Sequence, residues 1–453
     1  MSDWATNLQL SAIVLFIVDA YPCKEIISYR VGVHSCAITK VTMMILLRIV
    51  RRAINRWMLL VLLASVVMPL NAASPAIAPP LGDMALSDFY LYKGAHPGKA
   101  GVLLRQEPLA KHQSLMRAGE NLRLLYSSKD GLFGEQDIVV SGALYLPKGD
   151  APKGGWPLIA WAHGTVGIAD ACAPSWNGRR DRDNTYLNFW LANGYAVVAS
   201  DYQGLGTPGT HPYLATRPAA YSNIDIIRAV QNANFPVSKS VVIIGQSQGA
   251  GAALATVGYA PQYGPEIDVR GAVLTGAPYF SAEGLAAVQA SRPKDVVDPM
   301  LAYNFLALSM LGLINPEFRL EDYVRPSALV VAKAVNDTCY GDLRDKVDAA
   351  ALTYNKAFKK SPGAVLQAAF KRMEYATLKL DVPVFMGISG KDLSTPVRMQ
   401  MALKKSLCAA GTTVESHFYP RATHGSVVNG STNDSSVFVE KVFAGQKIQA
   451  RCE

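Results

Sequence analysis

From residue 157 onward the chain alternates short, continuously apolar runs with longer stretches that are apolar on one side only. The runs are Pro157-Leu-Ile-Ala-Trp-Ala162, Tyr195-Ala-Val-Val-Ala-Ser200, Val241-Val-Ile-Ile244, Gly271-Ala-Val-Leu-Thr-Gly276 and Val382-Pro-Val-Phe-Met-Gly-Ile-Ser389. Each is too short for a core helix and lacks a polar face, which predicts strands buried on both sides. Helices are expected over residues 185–192, stopped by Asn193-Gly194 in the manner of a C-cap, over 219–233, after Gly249, and from Thr395-Pro396 to Cys408. Val414-Glu-Ser-His-Phe-Tyr419 is the last strand of the series. Strand, loop and helix in repetition imply an α/β protein with a mostly parallel central sheet and helices on both faces. The active site of such a sheet lies at the carboxyl ends of its strands.

Upstream, residues 121–126 and 138–146 alternate enough to be antiparallel strands, the second closing at Pro147-Lys-Gly149. Residues 88–108 are expected to lie as a strip over the core, their aromatics serving packing. The strand rhythm stops between residues 281 and 379, where helical patterns such as 301–313 and 364–378 occur without a buried strand. That interval is expected to be a helical cap inserted over the sheet. The predicted organisation is therefore a leader over 1–73, a core in two parts over 81–280 and 380–453, and a cap over 281–379 between them. No internal repeat is visible.

Half of the residues are hydrophobic and 17% are charged, which excludes disorder for the bulk of the chain. The formal net charge of +9 arises partly in the leader, where seven Lys/Arg face three Asp/Glu, leaving +5 for the remainder. No Lys/Arg cluster interleaved with aromatics occurs there, so nucleic-acid binding has no support. In the leader, Arg48, Arg51, Arg52 and Arg56 precede an apolar run over 58–70 that ends in Asn71-Ala-Ala73. This is the order of a secretory signal peptide, and the run is short for a membrane span. A secreted or periplasmic product is expected, with a membrane anchor as the alternative. A second apolar stretch over 10–18 fits no part of such a peptide, so translation is expected to start at Met43, Met44 or Met58. A Pro/Ala linker follows over 74–80. Cys23 and Cys36 fall in the leader, leaving Cys172, Cys339, Cys408 and Cys452. None has the C-x-x-C spacing of a metal site, and an oxidising compartment favours disulfides. Sequence alone does not choose among the three connectivities; the preferred pairs are Cys172 with Cys339 and Cys408 with Cys452.

The chemistry centres on Gly245-Gln-Ser247-Gln-Gly249, where an apolar strand breaks into a helix of small residues. A nucleophile in a strained strand-to-helix turn leaves no room for side chains two residues before or after it, which explains both glycines. Ser247 is the candidate nucleophile. A serine hydroxyl needs a base, and the base an acid that fixes its tautomer. Of the seven histidines, only His424 follows the last strand, in the loop Pro420-Arg-Ala-Thr-His-Gly425; His417 lies inside that strand. Asp392, just after the preceding strand, is the candidate acid, and Asp381 lies at the wrong end of that strand. The oxyanion needs backbone donors, expected from Gln248 and from Thr165 or Gly164 in the turn after residue 162. His163 is expected to brace that turn and Asp201 to tie down its own loop. No cofactor or metal is called for.

These residues carry a resemblance. The elbow, the His163-Gly-Thr165 turn followed by Cys172-Ala-Pro-Ser175, the segment from Gly194 through Asp201-Tyr-Gln-Gly-Leu-Gly206 to Gly209, and the early Phe89-Tyr90 with Val102-Leu-Leu-Arg105 resemble the secretory lipase family of α/β-hydrolases. Its members include yeast lipases of the Candida antarctica lipase A type, and the likeness runs over residues 89–442. The resemblance implies an α/β-hydrolase fold, hydrolysis of carboxylic esters of fatty acids, a helical lid between nucleophile and acid, and extracellular action. Its triad falls on Ser247, Asp392 and His424. An ester or lipid substrate and transient contact with a lipid interface are the partners implied. The chain departs from the family in having glutamine on both sides of the serine and in its long leader, and the acyl preference stays open. The alternatives are a short-chain esterase or peptidase on the same fold, exposed by a chain-length series and by p-nitroanilides, or a non-catalytic hydrolase-like binding protein, which a fluorophosphonate probe would leave unlabelled.

Overall fold

The computed structural model describes residues 86–453 except Glu135. The leader with its apolar runs, Cys23, Cys36 and His34, and the linker over 74–80 lie outside the described residues. Among the described residues one sheet is built from β1 (Leu103–Pro108), β2 (Ala118–Lys129), β3 (Asp137–Pro147), β4 (Trp156–Ala162), β5 (Ala196–Ser200), β6 (Val237–Gln246), β7 (Asp268–Thr275), β8 (Val384–Ser389) and β9 (Val414–Tyr419). Their spatial order is β1-β2-β3-β5-β4-β6-β7-β8-β9. The first three pairings are antiparallel and every pairing from β5 to β9 is parallel. This is the α/β-hydrolase arrangement. The strip expected over 88–108 is corrected in its second half, which joins the sheet as the edge strand β1.

Buried strands explain the apolar runs. In β4, Leu158, Ala160 and Ala162 pack on one face with Ile226 and Val230 of α3 (Thr216–Asn232) and Leu254 of α4 (Gln248–Tyr263). Two other helices precede these, α1 (Pro174–Asn177) and α2 (Asp181–Ala192). Ile159 and Trp161 of β4 point to the opposite face, against Trp190 of α2. With both faces covered, no position in the strand is left polar, and each fully buried large side chain contributes about 1.5–3 kcal/mol.

Between β7 and β8 come α5 (Ala282–Ala290), α6 (Leu301–Ile314), α7 (Pro326–Lys333), α8 (Tyr340–Ala349), α9 (Tyr354–Ala357) and α10 (Gly363–Met373). The helices from α6 to α10 share a separate apolar core that includes Phe305, Leu308, Leu343 and Leu366. The chain returns through α11 (Val397–Ala409), α12 (Val427–Gly430) and α13 (Thr432–Phe443). A disulfide joins Cys172, in the loop after β4, to Cys339 at the start of α8, and Tyr340 N–H donates to Val166 O at 2.8 Å beside it. A second joins Cys408 of α11 to Cys452. It holds the C-terminal tail along the outer side of β9, where Arg451 N–H donates to Val414 O at 2.7 Å.

The register of the parallel strands places the site. Ala162 stands opposite Gly245, Gln246 opposite Thr275, and Thr275 opposite Gly387. The strands therefore end level, and the turns that follow them emerge side by side.

Candidate active site

Ser247 sits where β6 meets α4, with φ +58° and ψ −124°, a conformation costly for a residue with a side chain. The surrounding contacts enforce it. A Cβ on Gly245 would lie 2.0 Å from Gly249 O, and one on Gly249 would lie 1.9 Å from Ala162 O. Neither position tolerates alanine without moving backbone. Ser247 N–H donates to Thr275 O at 2.9 Å, tying the elbow to β7. Gln248 is the first residue of α4, so its N–H has no partner within the helix.

Asp392 and His424 meet across the loops after β8 and β9. His424 Nδ1 lies 2.8 Å from Asp392 Oδ2, and with a carboxylate there Nδ1 carries the proton. His424 Nε2 is buried and has no hydrogen-bond partner among the described residues. Asp392 is buried, and five further donors converge on it: Ser389 Oγ, Thr395 Oγ1 and Gln400 Nε2 on Oδ2, with Ser394 N–H and Thr395 N–H on Oδ1. Burial pushes its carboxyl up, but the His424 contact and charge, the Thr395 N–H and the Ser389 hydroxyl outweigh burial, and the carboxyl titrates below its ordinary value. The loop carrying the histidine is held from the elbow, since Gln246 Nε2 donates to His424 O at 3.1 Å. Gly276, after β7, leaves room for the pair: a Cβ there would lie 2.9 Å from the His424 ring.

On the other side of Ser247, a Cβ at Gly164 would lie 3.6 Å from Ser247 Cβ, so the turn over residues 163–165 flanks the serine. His163 is buried with its ring nitrogens facing Gly164 O at 2.8 Å and Asp201 O at 3.2 Å. Burial holds its pKa below the usual value. Asp201 receives Ser141 Oγ at 2.7 Å, Ser175 N–H at 2.9 Å and the Ser175 hydroxyl, so it fastens the segment after Cys172 to β3. Asp381 is exposed at the amino end of β8, and His417 is engaged with Glu415 at 2.9 Å. Gln400, Thr395 and Ser389 around the acid, and His211 and Tyr213 beside the turn over 163–165, carry no local motif, and their roles appear only in three dimensions. Among the described residues no group of three His, Cys, Asp or Glu side chains is placed to hold a metal ion.

A family model for secretory lipases matches residues 179–447, more than half of the chain. The chain belongs to the secretory lipase family. No curated protein sequence matches it. Among solved structures, Candida antarctica lipase A in its closed state is similar with a TM-score of 0.64 and 18% identity, over 81% of this chain and 89% of that one. A rice cell wall degrading esterase, LipA from Xanthomonas oryzae, is similar with a TM-score of 0.60 and 19% identity, over 77% of this chain and 100% of that one. At such identities the likeness is one of fold, and the fold is that of the α/β-hydrolases. This secretory lipase is a carboxylic ester hydrolase. A cavity of about 630 Å³ opens over its elbow, lined by Thr165, Ser247, Gln248 and Thr395 on the sheet side and by Leu301, Leu366 and Phe370 on the helical side. Its size falls within the range usual for small-molecule sites.

Proposed function

We propose that Ser247, Asp392 and His424 form the triad of an acyl-enzyme mechanism acting on fatty-acid esters. The observation that supports the reading is the Asp392–His424 contact, which fixes the proton on Nδ1 and leaves Nε2 without a partner among the described residues, on a loop tied through Gln246 to the strained elbow that carries Ser247. The Ser247 hydroxyl attacks the ester carbonyl carbon and gives its proton to His424 Nε2, while Asp392 stabilises the imidazolium. The N–H groups of Gln248 and of Thr165 or Gly164 receive the charge that develops on the carbonyl oxygen. Collapse of the tetrahedral intermediate expels the alcohol, which takes the proton from His424. Water, deprotonated by His424, then attacks the acyl carbon; the bond to Ser247 Oγ breaks, the serine takes the proton back from His424, and the acid is released.

The helices between β7 and β8 serve as a cap whose inner apolar face lines the acyl site, which supports medium or long acyl chains over acetate. If the cap opens at a lipid surface, preferential binding of the open form supplies the free energy for the shift. The test is a p-nitrophenyl ester series from acetyl to palmitoyl on wild type and Ser247→Ala. The variant is expected to lose orders of magnitude in kcat, and wild-type activity is expected to rise on emulsions of the longer esters. Unchanged activity in Ser247→Ala ends the triad reading; activity confined to acetyl and butyryl esters ends the fatty-acid reading.

A further inference from the structure

The two groups of oxyanion donors stand on different elements, the turn after β4 and the first turn of α4, and one loop touches both. It runs over residues 201–215 between β5 and α3. Tyr202 has φ +72° and Leu214 φ +61°, and Gly204 folds back so closely that a Cβ there would lie 2.6 Å from His211 N. These turns aim Tyr202, His211 and Tyr213 inward, where all three are buried.

Each meets a different residue of the site. Tyr202 stacks on His163 at 4.2 Å, and its hydroxyl donates to His163 O at 3.0 Å. Tyr213 Oη and Thr165 Oγ1 share a hydrogen bond of 2.8 Å. His211 Nε2 lies 3.0 Å from Gln248 Nε2. Its Nδ1 lies 2.8 Å from Gln203 O, and because a carbonyl only accepts, the imidazole proton sits on Nδ1 and Nε2 accepts from the amide. The Gln248 Oε1 atom is buried without a partner among the described residues, so the contact to His211 is the tether of that side chain.

We propose that this loop is the positioning frame of the oxyanion hole, with Tyr202 and Tyr213 setting the turn over residues 163–165 and His211 setting Gln248. The gap between donors on separate elements has to be held to a fraction of an ångström for the developing charge to meet both. A loop fastened to both elements fixes that gap before substrate arrives. The proposal rests on Ser247 being the nucleophile.

The experiment compares His211→Leu, His211→Gln and Tyr213→Phe with wild type, measuring kcat, KM, the inhibition constant of a trifluoromethyl ketone matched to the substrate, and Tm. The ketone adds to the serine and places an oxyanion in the hole. His211→Leu and Tyr213→Phe are expected to lower kcat by roughly tenfold to a hundredfold, the scale of a small misplacement, and to weaken the ketone by a similar factor with KM nearly unchanged. His211→Gln retains an acceptor for Gln248 and a donor for Gln203 O, and is expected to recover most of the loss. Wild-type kcat and ketone affinity in both His211→Leu and Tyr213→Phe overturn the proposal. So does a loss in His211→Gln equal to that in His211→Leu, or a loss that follows Tm alone. Tyr213→Phe removes a single oxygen and keeps the test alive if His211→Leu does not fold. An inactive Ser247→Ala beside unaffected loop variants would remove the frame and leave the triad standing; an active Ser247→Ala would remove both.

Discussion

Gly276 lacks a side chain where the His424 ring needs room. An added methyl would sit 2.9 Å from His424 Cε1 and Nδ1 at a φ of +58°, so Gly276→Ala is expected to displace the imidazole. Steady-state kinetics should show kcat reduced at least tenfold with KM little changed, because acyl contacts lie elsewhere. His211 gives a prediction of another kind. Burial first of all, countered by the Gln203 carbonyl, lowers its pKa from the ordinary 6.5 to about 4. Between those values the unfolded chain takes up a proton that the folded chain refuses, so the stability that His211 contributes is full above pH 6.5 and is lost as pH drops to 4, and this contribution changes no further below. The loss is about 3 kcal/mol, and urea midpoints at pH 7 and pH 4 should converge in His211→Gln relative to wild type. The places of Ser247, Asp392 and His424 after β6, β8 and β9 were legible, because chain order alone assigns such positions. His211, Tyr213 and Gln400 were not, since their partners lie 37, 48 and 11 residues away and no spacing records such a contact.

Among the elements, the buried parallel strands were the most legible, because a strand covered on both faces is apolar along nearly all of its buried length, its buried polar side chains falling at the carboxyl end. β1 was not, for Arg105, Gln106 and Glu107 place polar groups on an edge that needs no second apolar face. α2 starts at Asp181, before the expected residue 185, because its first turn, Asp181-Arg-Asp-Asn184, is polar and shows no apolar stripe. The four cysteines allowed three pairings by sequence, and the fold brings Cys172 to Cys339 and Cys408 to Cys452. The first link closes a separation of 167 residues, worth about 5 kcal/mol in the chain-entropy account. Cys339→Ser is expected to lower the urea midpoint markedly. It should also reduce kcat, since the link anchors the segment that continues from the turn over residues 163–165.

At the scale of the molecule, a level row of strand ends sets the turns after them side by side, which is why a sequence reading in terms of strand order picked Asp392 and His424, residues that the fold brings into contact. The span between β7 and β8 was legible as helical from its periodicity, but which of its faces turns to the cavity was not, because α6 is apolar nearly all round. Membership of the secretory lipase family and two disulfides fit an exported enzyme, and no helix among the described residues is long and apolar enough to cross a membrane. We expect Edman sequencing of the secreted product to begin near Ser74; a mature chain retaining residues 58–70 would indicate an anchor. The tail pinned beside β9 bears on the fate of the enzyme at high concentration. A terminal strand offers unpaired N–H and C=O groups as a template for another chain. Here Arg451 covers the start of that strand and the Cys408–Cys452 link keeps it in place. Cys452→Ser should therefore form oligomers or fibrils on concentration while keeping its activity as a dilute monomer, a difference that light scattering and a thioflavin assay would register.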